Sequence, residues 1–270
     1  MFTLGLCQIA DYMDRDEAME SAARYVNKAV DAGASVVSLP ELWNTPMMVK
    51  HYHDNAEDES GPSCEFMSDL ARQNEIYLIG GSIPEVASAK KGTIKKYYNT
   101  SYIYDPNGKR IGKHRKAHLF DIDIKDGITY KESDTFSAGD DITIVQTELG
   151  PIGVAVCFDI RFPEMFKKAA DAGCKLIVLP AAFNMTTGPA HWELMIRARA
   201  LDNQLYFATC SKARTVGMNE YVIWGHSTVA NPYGAISAKR DQSEGLVLCD
   251  IDYDYVNQVR NEIPIGRSDL

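Results

Sequence analysis

The chain has 270 residues and a mass of 30.0 kDa, with 45% hydrophobic and 24% charged residues, the balance of an ordinary globular protein. A formal net charge of −9 argues against nucleic acid or an anionic membrane surface as partner, and no apolar run reaches the roughly 18 residues of a membrane span. The six cysteines (7, 64, 157, 174, 210 and 249) lack CxxC spacing, which predicts reduced thiols in a cytoplasmic protein, with neither a disulfide framework nor a zinc site.

Residues 2–9 (FTLGLCQI) read as a buried strand without the basic leader of a signal peptide. Residues 14–32 predict a helix capped by Asp14, with Ala18, Ala22, Tyr25, Val26, Ala29 and Val30 on one face. Gly33 ends it, and the strand SVVSLPE follows, running into Glu41. A polar and aromatic loop (43–60) leads to a helix over 63–73 and then to the strand IYLIGGSI. YNTSYIYD and KRIGKHRK flank the hairpin turn Asp105-Pro106-Asn107-Gly108. Residues 117–140 have no periodicity and predict a long loop beside the functional site.

ITIVQTELGPIGVAVC is a strand pair around Gly150-Pro151. After Cys157 come a helix opened by Pro163 and closed by Gly173, the strand KLIVLP, the loop AAFNMTTGPA and a helix from about His191 to Asn203. LYFATCSK, STVANPYGAISAK and GLVLCDID are further strands, DYVNQVRNEI is a short helix and IPIGRSDL an extended tail. No Pro/Gly/Ser linker divides the chain, so residues 1–270 are expected to form a single domain.

The chain echoes itself. AVDAGASVVSLPE (29–41) matches AADAGCKLIVLPA (169–181), and LGLCQI pairs with IGVAVC, so that Glu41 corresponds to Ala181 and Cys157 to Ile9. Two similar halves predict an α/β stack of two sheets with helices outside, each half contributing part of a composite site.

Cys157 sits where a buried strand ends and a helix is about to begin. There the helix N–H groups and dipole are expected to lower a thiol's pKa, the setting of a nucleophile. A nucleophile needs a base and something to hold an oxyanion. None of the six histidines is tied to Cys157 by a motif, and the pair His51 and His53 is a weak metal signal. Glu41, closing an apolar strand, is the alternative base, because a desolvated carboxylate can take and return a proton near neutral pH. Lys116, in KHRKAHLFDID, would depress the thiol and stabilise an oxyanion, with the backbone N–H of Phe158 as a second donor. Each has an ordinary structural alternative: a buried cysteine, a strand-end glutamate, a solvated basic edge.

LPELW, KHRKAHLFDID and GVAVCFDIRFPE resemble the three signature blocks of the nitrilase-type carbon–nitrogen hydrolases. IYLIGGSIPE, GITYKES, AAFNMTTGPAHWEL, RARALDNQ and WGHSTVANPYG resemble the ω-amidase branch, and together the blocks cover nearly the whole chain. The resemblance implies Glu41 as general base and acid, Lys116 as oxyanion stabiliser, Cys157 as nucleophile and Glu132 as the glutamate that orients Lys116. It also implies a four-layer α-β-β-α sandwich of two pseudo-symmetric halves, and a homodimer or higher even oligomer. The expected reaction is hydrolysis of a small ω-amide through a thioester, with no metal or organic cofactor. Phe183 and Asn184, in the loop after KLIVLP, join Phe158 as candidate substrate contacts, and Arg161 or Arg214 would hold a substrate carboxylate. The competing readings are an N-carbamyl amidase, an aliphatic amidase, a true nitrilase, or a binding protein on the same fold.

Overall fold

The computed structural model describes residues 1–87, 95–125, 128–215 and 221–265. Its centre is a pair of parallel strand trios. In the first, Phe2–Gln8 runs parallel to Ala34–Ser38, which runs parallel to Tyr77–Ile79. In the second, Ile152–Val154, Leu176–Ala181 and Tyr206–Ser211 repeat that arrangement. Because side chains alternate along a strand, each trio is apolar on both faces. Leu4, Leu6, Val36 and Ile79 meet Val154, Leu176, Val178 and Ala208 between the sheets.

The opposite faces are covered by helices. Cys7, Val37, Leu39 and Leu78 pack under Ala18, Ala22, Val26 and Ala29 of helix Arg15–Asp31, and with Met67 and Leu70 of helix Pro62–Asn74. Ile177, Leu179 and Phe207 pack under Phe166 and Ala169 of helix Pro163–Asp171, and with Trp192, Ile196 and Ala200 of helix Gly188–Asn203. The layers are therefore helix, sheet, sheet, helix, the α-β-β-α sandwich the sequence predicts. Asp14 caps the first helix as expected, accepting from the N–H groups of Asp16 and Glu17.

Antiparallel strands widen each trio. Lys96–Tyr104 pairs with Tyr77–Ile79 and Ile83–Ala87 along one edge and with Arg110–Arg115 along the other. On the second sheet, Thr143–Val145 borders Ile152–Val154, while Thr228–Ala230 and Ile236–Lys239 extend the far side. The halves are not fully separate: Gly245–Ile251, late in the chain, joins the first sheet antiparallel to Phe2–Gln8.

Three segments differ from expectation. The region 117–140 is not structureless; Asp121–Asp123 pairs with Thr129–Lys131, and a tight turn, Glu132–Asp134, follows. Helix Gly188–Asn203 begins earlier than the sequence suggests, with Pro189 in its first turn. The run IYLIGGSI breaks at Gly80–Ser82, because those residues form a socket for the chain leaving Ala34–Ser38. The end of the tail IPIGRSDL, from residue 266, lies outside the described residues.

The socket fixes Glu41. Ser82 N–H donates to Pro40 O at 3.1 Å, Trp43 N–H to Ser82 O at 3.1 Å, and Leu42 N–H to Ser82 Oγ at 3.0 Å. The Trp43 indole donates to Gly80 O at 2.8 Å. Gly81 has φ +61°, and a Cβ there would lie 2.1 Å from Pro40 O. A second pin crosses between halves. Lys212 Nζ donates to Asp11 Oδ1 at 2.5 Å and to Thr45 O at 2.8 Å, and Asp11 also accepts from Met47 N–H.

Gly81→Ala therefore meets both left-handed strain and a backbone collision, whereas Gly33, at φ +90°, has nothing within 4 Å of its absent Cβ. Backbone strain alone costs about 1–3 kcal/mol, or about 2–10 °C in melting temperature for a chain of this size. Gly81→Ala should melt clearly below Gly33→Ala in thermal unfolding followed by circular dichroism. Equal midpoints would show that the Pro40 contact does not constrain the fold.

Candidate active site

Glu41 follows Ala34–Ser38, and Cys157 follows Ile152–Val154. Both thus lie beyond the carboxyl ends of parallel strands, where open α/β sheets place their ligands. Cys157 itself has φ +48°, unusual for a residue with a Cβ, and opens a tight turn, Cys157–Arg161, ahead of helix Pro163–Asp171. The elbow is held by Asp159, which has no exposed surface. Its carboxylate accepts from Val156 N–H at 2.9 Å, His118 N–H at 2.9 Å, His118 Nδ1 at 2.9 Å and His114 Nε2 at 3.0 Å. Burial opposes the charge on Asp159, but those bonds outweigh it and hold the carboxyl well below the usual range. Since His114 and His118 flank Lys116, the same carboxylate ties the elbow to the segment carrying the lysine.

Lys116 is 2% exposed and lies between two carboxylates, 2.8 Å from Glu41 Oε1 and 2.8 Å from Glu132 Oε2. Glu132 reaches the site because its tight turn folds back on the preceding loop, with Phe120 N–H donating to its Oε2 at 2.7 Å. Asn99, fully buried in Lys96–Tyr104, donates from Nδ2 to Glu41 Oε1 at 2.9 Å and to Glu132 Oε1 at 3.1 Å. The structure thus brings together Glu41, Lys116, Glu132 and Cys157, although they are far apart in the chain.

Burial alone would lower Lys116, but the charges of Glu132 and Glu41 prevail and hold it well above its ordinary value. Cys157 goes the other way from the helix-dipole expectation. Burial and the adjacent Glu41 charge push its thiol well above the ordinary range, outweighing Lys116 and the nearby backbone of Ala182. The resting nucleophile is therefore a thiol beside a carboxylate. The arrangement suits transfer of the proton to Glu41 at the moment of attack, with Lys116 remaining charged.

Two small cavities meet at Cys157. One, of about 20 Å³ and room for roughly one water, is bounded by Glu41, Lys116 and Glu132 together with Tyr52, Tyr130 and Tyr221. The other, about 10 Å³, is lined by Phe158, Arg161, Phe183 and Tyr221. Arg161 lies over the faces of Phe158 and Phe183, at 5.3 and 5.6 Å, and its buried Nε has no partner among the described residues. Arg214 is elsewhere: it donates to the carbonyls of Ile223 and Trp224 and lies over the Trp224 ring. Asn184 caps the turn beyond Phe183, its Oδ1 accepting from Thr186 N–H and Thr187 N–H. Among the described residues no group of three His, Cys, Asp or Glu side chains is arranged to hold a metal.

Sequence reading missed Asn99, Asp159, the three tyrosines and Ala182. Asn99 had one available signal, a polar residue inside an otherwise strand-like run. Tyr221 donates to Ala182 O at 2.7 Å, and only the packing of 221–224 against 183–185 shows why it closes the site.

Residues 3–261 match the carbon-nitrogen hydrolase family. The chain is 45% identical over 266 residues to the omega-amidase NIT2 of Xenopus tropicalis, covering 98% of this chain and 94% of that one. It is 43% identical over 272 residues to the human omega-amidase NIT2, with 100% and 96% covered. Among solved structures it resembles Saccharomyces cerevisiae Nit3, a member of branch 10 of the nitrilase superfamily. That match has a TM-score of 0.89 and 34% identity, covering 99% of this chain and 96% of that one. With a family match across nearly its whole length and full-length relatives above 40% identity, this chain belongs to the carbon-nitrogen hydrolases.

Proposed function

We propose that the protein is an ω-amidase that hydrolyses the monoamide of a small dicarboxylic acid, of the 2-oxoglutaramate or 2-oxosuccinamate class, to the diacid and ammonia. The observation that carries this reading is the pairing, around one sulfur, of the Glu41–Lys116–Glu132 cluster with an under-partnered guanidinium. Burial lowers the Arg161 pKa; its Nη2 meets the His191 ring at 3.2 Å, and among the described residues no carboxylate pairs with it, so a substrate carboxylate would supply a counter-charge. The likeness to omega-amidases across nearly the full length points the same way.

In this mechanism Cys157 attacks the amide carbonyl as Glu41 takes the thiol proton. Lys116, with the Phe158 N–H, stabilises the oxyanion. Glu41 then protonates the departing nitrogen, ammonia leaves, and a thioester remains. Water enters, Glu41 removes its proton, and hydrolysis frees the acid. Glu132 keeps Lys116 in place throughout, and Phe183 forms part of the wall against which the substrate chain lies. Asn184 supports that wall by capping its loop. We further infer one domain acting in a reducing, cytoplasmic setting, since all six cysteines are free and buried.

Ammonia release over a panel of ω-amides, neutral aliphatic amides, carbamyl compounds and nitriles tests the assignment. Cys157→Ala should abolish release from all of them. Arg161→Met should cost roughly 10–100-fold in kcat/KM for dicarboxylate monoamides and little for neutral amides. Equal losses on both, or a preference for nitriles or carbamyl compounds, would overturn the substrate class.

The pH profile carries a signed expectation. Lys116 and Cys157 both have raised values, so the lysine stays charged and the thiol stays protonated through pH 9, the ordinary thiol value. Accordingly kcat/KM should show no alkaline limb below about pH 9. A fall beginning near pH 8 would mean that one of these groups titrates earlier than its surroundings require.

The assembly is inferred to be a dimer built on helix Gly188–Asn203, whose outer face leaves Leu194 68% and Leu201 49% exposed beside Tyr233 at 57%. Light scattering at micromolar concentration should return twice the 30.0 kDa chain mass. A monomer mass would remove this inference.

A further inference from the structure

We propose that Asn99 is a positioning residue for the proton transfers, assigning the two oxygens of Glu41 to separate roles. The inference rests on the reading of Glu41 as proton carrier.

Asn99 closes a ring. Lys116 Nζ bonds Glu41 Oε1 and Glu132 Oε2, and Asn99 Nδ2 bonds Glu41 Oε1 and Glu132 Oε1. Two carboxylates thus share a single cation, and Asn99 supplies two N–H donors where a second cation would otherwise be needed. The amide cannot be turned over, because its oxygen would then face both carboxylates. In the orientation present, Asn99 Oδ1 is buried with no partner among the described residues. A side chain retained only for packing has no reason to bear that cost. The strand also keeps Asn99 beside the lysine, since Asn99 O accepts from Lys116 N–H at 2.9 Å.

The consequence falls on Glu41. Its Oε1 carries two donors, Lys116 and Asn99, and among the described residues no amide or ammonium donor reaches Oε2. Oε2 is therefore the oxygen left to take the proton from Cys157 and deliver it to the leaving nitrogen. With Lys116 alone on Oε1, the carboxylate can swivel about that single bond. Taking the thiol proton is common to both substrates and spans a short distance, because Cys157 lies beside Glu41; delivery to nitrogen is the further transfer that needs Oε2 held on line. An amide requires its nitrogen protonated before it departs, and an ester with a good leaving group does not.

The test compares the two kinds of substrate in Asn99→Leu, which keeps volume without donors, and Asn99→Ala, which keeps neither. Ammonia release is measured on an ω-amide, and acylation of Cys157 by the matching activated ester is followed by intact-protein mass spectrometry. Each variant is assayed below its own melting transition. Expected is a roughly 10²-fold fall in kcat on the amide with KM changed less than about threefold, while the ester acylates within about fivefold of the parent rate. Equal slowing of amide and ester would reduce Asn99 to a structural residue, and full amide activity would eliminate the role altogether. Glu41→Gln serves as the reference. Should it retain amide turnover, the proton-carrier reading fails; should it be inactive while Asn99→Leu is unimpaired, only the present inference fails.

Discussion

One buried ammonium serves two carboxylates, and much of the site follows from that imbalance. Lys116, Glu41 and Glu132 together carry one excess negative charge in a space nearly closed to water. Ionising Cys157 by losing its proton to solvent would add another negative charge beside Glu41, so its thiol lies far above the ordinary range. Moving the proton from sulfur to Glu41 leaves the total unchanged. Nucleophile and base are thereby made interdependent, and neither is primed in isolation.

Holding this cluster is the work of two loop systems at one end of the sandwich. The Gly80–Ser82 socket grips the chain on either side of Glu41, and Asp159 grips the Cys157 elbow together with the His114–His118 segment. The first half contains the matching position: Asp11 lies two residues beyond Ile9, as Asp159 lies two beyond Cys157. There the carboxylate faces Lys212 in place of histidines. Equivalent acids thus serve as anchors in both halves, while only one half presents a thiol.

The sandwich was legible because its signals are local. Alternation of apolar residues, helix stops at Gly33 and Gly173, and the repeated Leu-Pro strand ends each need only a short window. Glu41, Lys116 and Cys157 were legible for the same reason, as each sits at the end of a strand-like run. What escaped depends on distant partners. The break at Gly80–Ser82 exists because Pro40 docks there, and an isolated IYLIGGSI carries no mark of it. The Cys157 thiol was expected to be low because its own neighbourhood begins a helix; Glu41, more than a hundred residues earlier, and burial reverse the sign. The short ribbon in 117–140 has mostly exposed residues, so it lacks the apolar alternation that would announce it.

The pocket at Cys157 is narrow, and few residues shape it. With room for about one water at its floor, the walls around Cys157 set the size of what can reach the sulfur. Tyr221 is one of those walls, and it is tethered through its hydroxyl to Ala182 O. The backbone of the same residue favours a charged Cys157 sulfur. Wall and nucleophile thus share one neighbouring residue of the chain. Access to the sulfur and the electrostatics around it are therefore set by the same backbone unit.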